Sequence, residues 1–323
     1  MQGKVTLEDH FAIEATLGDS QPFGAHVWPE LRHRLLDFQD QRLRLMDASG
    51  VEIMIASLNA PAIQGIANAG RAAEVARQAN DILAQEVAKR PDRFVGVAAL
   101  PMQDPELAAA ELQRAIRDLG FKGALVNGYS QVQDSNKPIH YDLPQYRPFW
   151  RALAALDVPF YLHPRPPIPG VSPLYDGHSW LLGPTWSFAA ETALHALRLI
   201  GSGLFDELPR LQIILGHLGE GLPFYLWRID NRNNWMKAPH KYAAQKPVAD
   251  YFRSNFYLTT SGHFSTPALI DTMAEIGADR VMFSVDYPFE DFSDAADWFD
   301  RAEIGEADRT AIGRTNAMKL FRL

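Results

Sequence analysis

Glu8 and His10 stand two residues apart just past a short apolar run, Lys4–Leu7, so on an extended chain both side chains leave the same face. A carboxylate and an imidazole placed that way can chelate a divalent cation. His163 ends the apolar run Val158–Leu162, and Asp286 ends Arg280–Val285. Each has a plainer reading when taken alone: a solvated strand end for Glu8 and His10, a hydrogen-bonded core histidine for His163, an acid capping the next helix for Asp286. As a set, two imidazoles and two carboxylates offer the mixed nitrogen and oxygen donors that suit Zn2+ or Mn2+, with Mg2+ also admissible. The chain has no cysteine, so a metal must be held in this way, and disulfides, iron–sulfur clusters and thiol nucleophiles are excluded.

A second group lies in Gly216-His217-Leu218-Gly219-Glu220-Gly221, which follows another apolar run. Its glycines let backbone come close to a ligand, and His217 and Glu220 are three apart, able to face one site once a helix starts. The plainer reading is a turn with a capping carboxylate. Asn59, Asn127, Thr260 and Ser261 also stand where apolar runs stop, and His263 lies close behind. His26, His33, His140 and His240 read as solvent-exposed, while His178 and His195 fit either environment.

These residues meet only if the apolar runs lie side by side. There are eight: Lys4–Leu7, Val51–Ser57, Arg93–Leu100, Phe121–Val126, Val158–Leu162, Leu211–Leu215, Phe256–Thr260 and Arg280–Val285. Their lack of alternation suits parallel strands covered on both faces. Helical stretches separate them: Leu35–Ala48, Ala72–Lys89, Asp104 to Gly120, Tyr146–Leu156, Ser187–Ile200, Thr266–Ile276, Ser293–Phe299 and Glu306–Leu320. Strand starts about 39 residues apart, joined by right-handed crossovers, predict a single (β/α)8 barrel over residues 1–323 with its chemistry at the C-terminal strand ends. In that barrel the first, fifth and eighth strand ends bring Glu8, His10, His163 and Asp286 around one axial pocket. An open doubly wound sheet is the alternative, but no glycine-rich phosphate turn follows the first run. The Pro-rich segment His163–Gly170 reads as a long loop after the fifth strand.

Composition narrows the function. At 323 residues the chain buries enough surface to fold without a metal, so a metal serves chemistry. A net charge of −8 argues against nucleic acid and anionic membrane as partners. The N-terminus lacks the apolar region of a signal peptide and no apolar run reaches membrane length, so a cytoplasmic location is expected.

Four stretches also carry a family resemblance: Gly3–Phe11, Val158–Arg165, Ile214–Glu220 and Phe283–Glu290. Through them the chain resembles, over essentially its whole length, the amidohydrolase-related metal-dependent decarboxylases of ortho-hydroxybenzoates, both the γ-resorcylate (2,6-dihydroxybenzoate) and the 2,3-dihydroxybenzoate branches. The resemblance implies one divalent ion on Glu8, His10, His163 and Asp286, no organic cofactor, and a homotetramer. It implies Asp286 as the acid that protonates the ring, with His217 and Glu220 as a relay beside it. Phe23, Asn127 and Phe289 are expected to line the substrate pocket, Arg228 to neutralise a carboxylate or hold Glu220, and His263 to contact substrate or a neighbouring group. Hydrolytic relatives begin with His-x-His and binuclear ones carry a lysine at the fourth strand end, whereas this chain has Glu8-Asp9-His10 and Asn127. Both departures favour decarboxylation over the rival reading, a metal-dependent hydrolase of a lactone or amide. Glu8-Asp9-His10 favours 2,6-dihydroxybenzoate as substrate, and the stretch around His263 favours 2,3-dihydroxybenzoate.

Overall fold

The computed structural model describes residues 1–132, 135–168, 173–236 and 242–323. His240 and the end of the Pro-rich segment lie outside the described residues. Eight strands build the barrel: β1 Lys4–Phe11, β2 Val51–Leu58, β3 Phe94–Gly96, β4 Ala124–Asn127, β5 Phe160–His163, β6 Ile213–Leu215, β7 Phe256–Thr259 and β8 Val281–Met282; a separate antiparallel pair, Ser130–Val132 with Ser135–Ile139, follows β4. All pairings between them are parallel, β1-β2-β3 on one side and β4-β5-β6-β7-β8 on the other. A bridge from Ala98 to Ala124 joins the two groups. The seam between first and last strands is closed by His10 N donating to Tyr287 O and by Ser284 Oγ donating to Leu7 O. The result is a (β/α)8 barrel.

The interior is filled from alternate positions of each strand. Val5, Leu7, Ile55, Val97, Leu125, Tyr161, Ile214 and Met282 form one cluster, closed below by Phe321 of the last helix. A larger apolar layer, including Met54, Leu83, Leu112, Phe149, Trp150 and Phe252, packs the helices onto the outside of the strands. The helix Pro105–Arg117 begins where expected, with Asp104 Oδ1 accepting from Glu106 N at 2.8 Å and Leu107 N at 3.1 Å.

Several expectations shift for identifiable reasons. The stretch Leu35–Ala48 is two helices, Trp28–Leu36 and Gln41–Ala48. Asp37 breaks it, its carboxylate accepting from Asp40 N and Arg42 N and so offering the backbone an alternative to the helix ladder. The third strand stops at Gly96, and beyond it the backbone of Ala99 pairs with the buried amide of Asn80. After Met282 the eighth strand bonds instead to Ile312 O and to the Thr260 hydroxyl. The segment after β5 is not structureless: it carries short 3-10 turns at Pro173–Tyr175, Ser179–Leu181 and Gly183–Thr185.

Candidate metal centre and active site

β1 contains a defect that creates the site. Val5 and Leu7 point into the barrel, and simple alternation would send Asp9 after them. Instead the pairing with β2 slips between Leu7 and Asp9, and Glu8 adopts φ +59°. This bulge re-aims the strand, as bulges beside active sites do, so that Glu8 and His10 point inward and Asp9 outward. Asp9 is buried outside the site, where it accepts from Tyr287 N and burial pushes its carboxyl up to about 7.

The four expected ligands converge: one donor atom from each of Glu8, His10, His163 and Asp286 lies within 4.8 Å of the other three. His10 Nε2 is 3.3 Å from Asp286 Oδ1, and His163 Nε2 is 3.3 Å from Glu8 Oε1. Glu8 and His10 are braced from behind. Glu8 Oε2 accepts from Tyr161 OH, Ser261 Oγ and Thr259 Oγ1, and His10 Nδ1 lies 3.2 Å from Ser57 Oγ. Glu8 Oε1 and His10 Nε2 are buried with no hydrogen-bond partner. Buried polar atoms left facing one another in this way are costly unless a cation takes them up, and the donors suit a divalent ion.

Charge is unevenly shared. Burial raises Glu8, and burial next to His10 holds the His163 imidazole well below its usual range. Burial also works to raise Asp286, but the nearby His10 and His217 imidazoles outweigh it and hold the carboxyl at about 2. His217 goes the other way. Burial disfavours its charge, yet Glu220 and Glu8 hold it well above the usual histidine range. His217 Nδ1 is 2.8 Å from Glu220 Oε1, and its Nε2 is 3.6 Å from Asp286 Oδ2.

The turn carrying His217 is not the expected helix start. His217, Leu218, Gly219, Glu220 and Gly221 all have positive φ, between +52° and +84°. Non-glycine residues adopt that conformation at a cost, and such strain persists where surrounding contacts enforce it, commonly at functional sites. Gly216 is required for a separate reason: a Cβ there would sit 2.6 Å and 2.7 Å from the two Glu8 carboxylate oxygens.

Over the four ligands opens a cavity of about 280 Å3, lined on one side by Phe23, Val27, Leu31, Phe188 and Phe289 and on the other by His163, His217 and Asp286. Phe289 packs 5.9 Å from the His10 ring and 6.2 Å from Phe23. Phe23 and Phe289 thus both line this cavity. His263 is exposed in an adjoining outer cavity with His217 and Asp286, its Nδ1 3.3 Å from His217 O. Asn127 lies at the end of β4, but its amide donates to Asn59 O and it does not line the cavity. Arg228 is exposed on the helix Leu222–Met236, away from the cavity and unpaired with Glu220. His140 is buried rather than exposed, 4.8 Å ring to ring from His195, which is also buried.

Sequence reading missed Phe188 and Pro184, which arrive from the segment after β5, and the hydroxyls of Tyr161 and Thr259. Alternation was the available signal for the hydroxyls: Tyr161 shares parity with His163, and Thr259 with Ser261.

The amidohydrolase family profile matches residues 23–323. γ-Resorcylate decarboxylases of Rhizobium sp. and Rhodococcus jostii are 63% and 60% identical, aligned over 100% of this chain and 99% of theirs. A solved 2,6-dihydroxybenzoate decarboxylase in complex with 2,6-dihydroxybenzoate superposes at TM-score 0.98, with 63% identity and 100% of both chains covered. A dihydroxybenzoic acid decarboxylase of a Polaromonas species, with bound manganese and the inhibitor 2-nitroresorcinol, does so at 0.97, with 62% identity over 100% of this chain and 98% of that one. Its barrel, its ligand set and the match from residue 23 to the last residue agree: the chain belongs to the amidohydrolase family.

Proposed function

We propose that the protein is a metal-dependent carboxy-lyase that removes CO2 reversibly from an ortho-hydroxybenzoate, with 2,6-dihydroxybenzoate as substrate and resorcinol as product. The observation behind this is the cavity, sized for one substituted ring, with His163 and Asp286 of the four-ligand cluster and aromatic side chains in its wall. Glu8, His10, His163 and Asp286 would hold the ion, for which Mn2+ and Zn2+ are the best matches. When bound, that ion supplies a Lewis acid and a template for the carboxylate and its ortho oxygen.

An aromatic carboxylate loses CO2 with difficulty because the departing electron pair has nowhere to go. Once the ring carbon is protonated, cleavage restores aromaticity and the pair returns to the ring. Asp286 is placed to deliver that proton. The protonated His217 stands 3.6 Å from Asp286 Oδ2 and can restore the proton that Asp286 passes on. Glu220 fixes the His217 ring through Nδ1. Phe23, Phe188 and Phe289 clasp the ring and exclude water, and His263 stands at the rim. Water is not consumed and no organic cofactor is required, so excess bicarbonate should drive carboxylation of resorcinol.

We further infer one catalytic domain over residues 1–323, working in the cytoplasm as a homotetramer. Among the described residues no helix is long and apolar enough to cross a membrane, and Phe224, Trp227 and Trp235 on one exposed helix offer a surface for subunit contact. The test is a panel of 2,6- and 2,3-dihydroxybenzoate and 2-, 3- and 4-hydroxybenzoate with protein loaded with Mn2+ or Zn2+, products separated by chromatography. Turnover should require an ortho hydroxyl and be fastest with the 2,6-acid. Rapid turnover of 4-hydroxybenzoate, or lactone hydrolysis with no CO2 released, would overturn the reading.

A further inference from the structure

Beside the groups given roles above, the ring cavity has another carboxylate in its wall. Glu290 lines both that cavity and the larger outer one that holds Trp186, Leu194, Tyr225 and His263. Its position follows from the turn after Asp286. Phe289 N and Glu290 N both donate to Asp286 O, at 3.0 and 3.1 Å, which folds residues 286 to 290 into a tight turn. Asp286 and Glu290 line the same two cavities, and the Phe289 ring packs 5.9 Å from the His10 ring.

Glu290 is half-buried, and its side chain makes no hydrogen bond or ion pair among the described residues. Burial and the neighbouring Asp286 raise its proton affinity, as expected of a partly dried carboxylate without a donor. An ionised carboxylate only accepts hydrogen bonds; Phe23, Val27, Leu31 and Phe188 of this cavity offer none, and the imidazoles that share it, His26, His163 and His217, make no hydrogen bond to Glu290. A donor carried by the ligand would supply the missing partner. A substrate carboxylate is repelled there, but a ring hydroxyl is not.

We propose that Glu290 accepts a hydrogen bond from the second hydroxyl of the aromatic acid, the one not engaged at the four-ligand centre, and so selects 2,6-dihydroxylated over 2-monohydroxylated rings. This rests on the functional reading above and adds a cause for specificity within it. A ring lacking that hydroxyl leaves a half-dry carboxylate unpaired, the arrangement by which polar sites reject substrates that lack a polar group.

The test compares wild type with Glu290→Gln and Glu290→Ala, each shown to be folded and metal-loaded, on 2,6-dihydroxybenzoate and 2-hydroxybenzoate. In Glu290→Ala, kcat/KM for the dihydroxy acid should fall about tenfold to hundredfold while that for the monohydroxy acid stays within about threefold, with Glu290→Gln between. A second readout needs no turnover: calorimetric titration should show wild type binding resorcinol at least about tenfold more tightly than phenol, and Glu290→Ala binding both alike. Equal loss on both acids, or an unchanged resorcinol preference, removes the assignment while leaving the functional reading intact. Wild type that releases no CO2 from either acid removes both.

Discussion

In the proposed mechanism Asp286 both binds a cation and carries a proton, and the two demands separate in substitution. Asp286→Asn leaves three ligands, so it should retain part of its metal while turnover falls by at least about a thousandfold. If it keeps more than about a tenth of wild-type rate, less than ~1.4 kcal/mol of barrier, another group is the acid. His163→Ala should instead show marked metal loss by elemental analysis with the circular dichroism spectrum retained, because a chain this long does not need the ion to fold. Full metal content in that variant would remove His163 from the ligand set. The four ligands were legible because apolar runs ending in Glu, His or Asp are conspicuous in a parallel-strand pattern. The hydroxyls behind Glu8 were not, since a Tyr or Thr inside an apolar run looks like ordinary core. Arg228 and Asn127 matched expectations of type but not of place, which depends on a helix's rotation and on hydrogen bonds to other loops.

Between residue and barrel, short irregular elements do the positioning. The Gly216 contact with Glu8 makes a sharp prediction. Gly216→Ala has a permissible φ of −74° but forces a methyl against both Glu8 oxygens, so metal affinity should drop roughly tenfold to a hundredfold in a chelator competition. An unchanged affinity would show that Glu8 moves freely. None of this was legible from sequence: the glycines around His217 suggested a close approach, but five consecutive positive φ angles and a bulge at Glu8 are products of packing. The His140–His195 pair gives a test by pH. Burial, with Arg198 nearby, lowers His140 to about 4, against about 6.5 in an unfolded chain. Between those values the unfolded state binds more protons, so this contribution is fully present above pH ~6.5 and lost as pH falls towards ~4, roughly 2 kcal/mol by pH ~5. His140→Phe should flatten the slope of unfolding free energy over that window. A slope identical to wild type would place His140 in solvent.

For the whole molecule, the eight-strand barrel followed from counting apolar runs, because βα units of this size have few other ways to bury both faces of their strands. Strand lengths were overestimated, since side chains such as Asn80 and Thr260 take over backbone bonds near strand ends. The proposed subunit contact rests on surface chemistry: Phe224, Trp227 and Trp235 are each more than two-thirds exposed. Light scattering should give a mass near four chains, and Trp227→Lys should shift it towards smaller species. A wild-type monomer would refute the assembly. The seam of the barrel has one more consequence, for synthesis of the protein. Tyr287 N bonds to Asp9, 278 residues away, and the ligand set likewise draws on both ends of the chain. A ribosome releases Glu8 and His10 early and Asp286 near the finish, so the nascent chain carries half of its chelating groups unmatched through most of translation. Metal capture is thereby tied to the last contact made, of long sequence separation and slow to form. Loading with metal should report completion of the barrel, and a chain halted before its eighth strand should leave the ribosome unable to hold the ion.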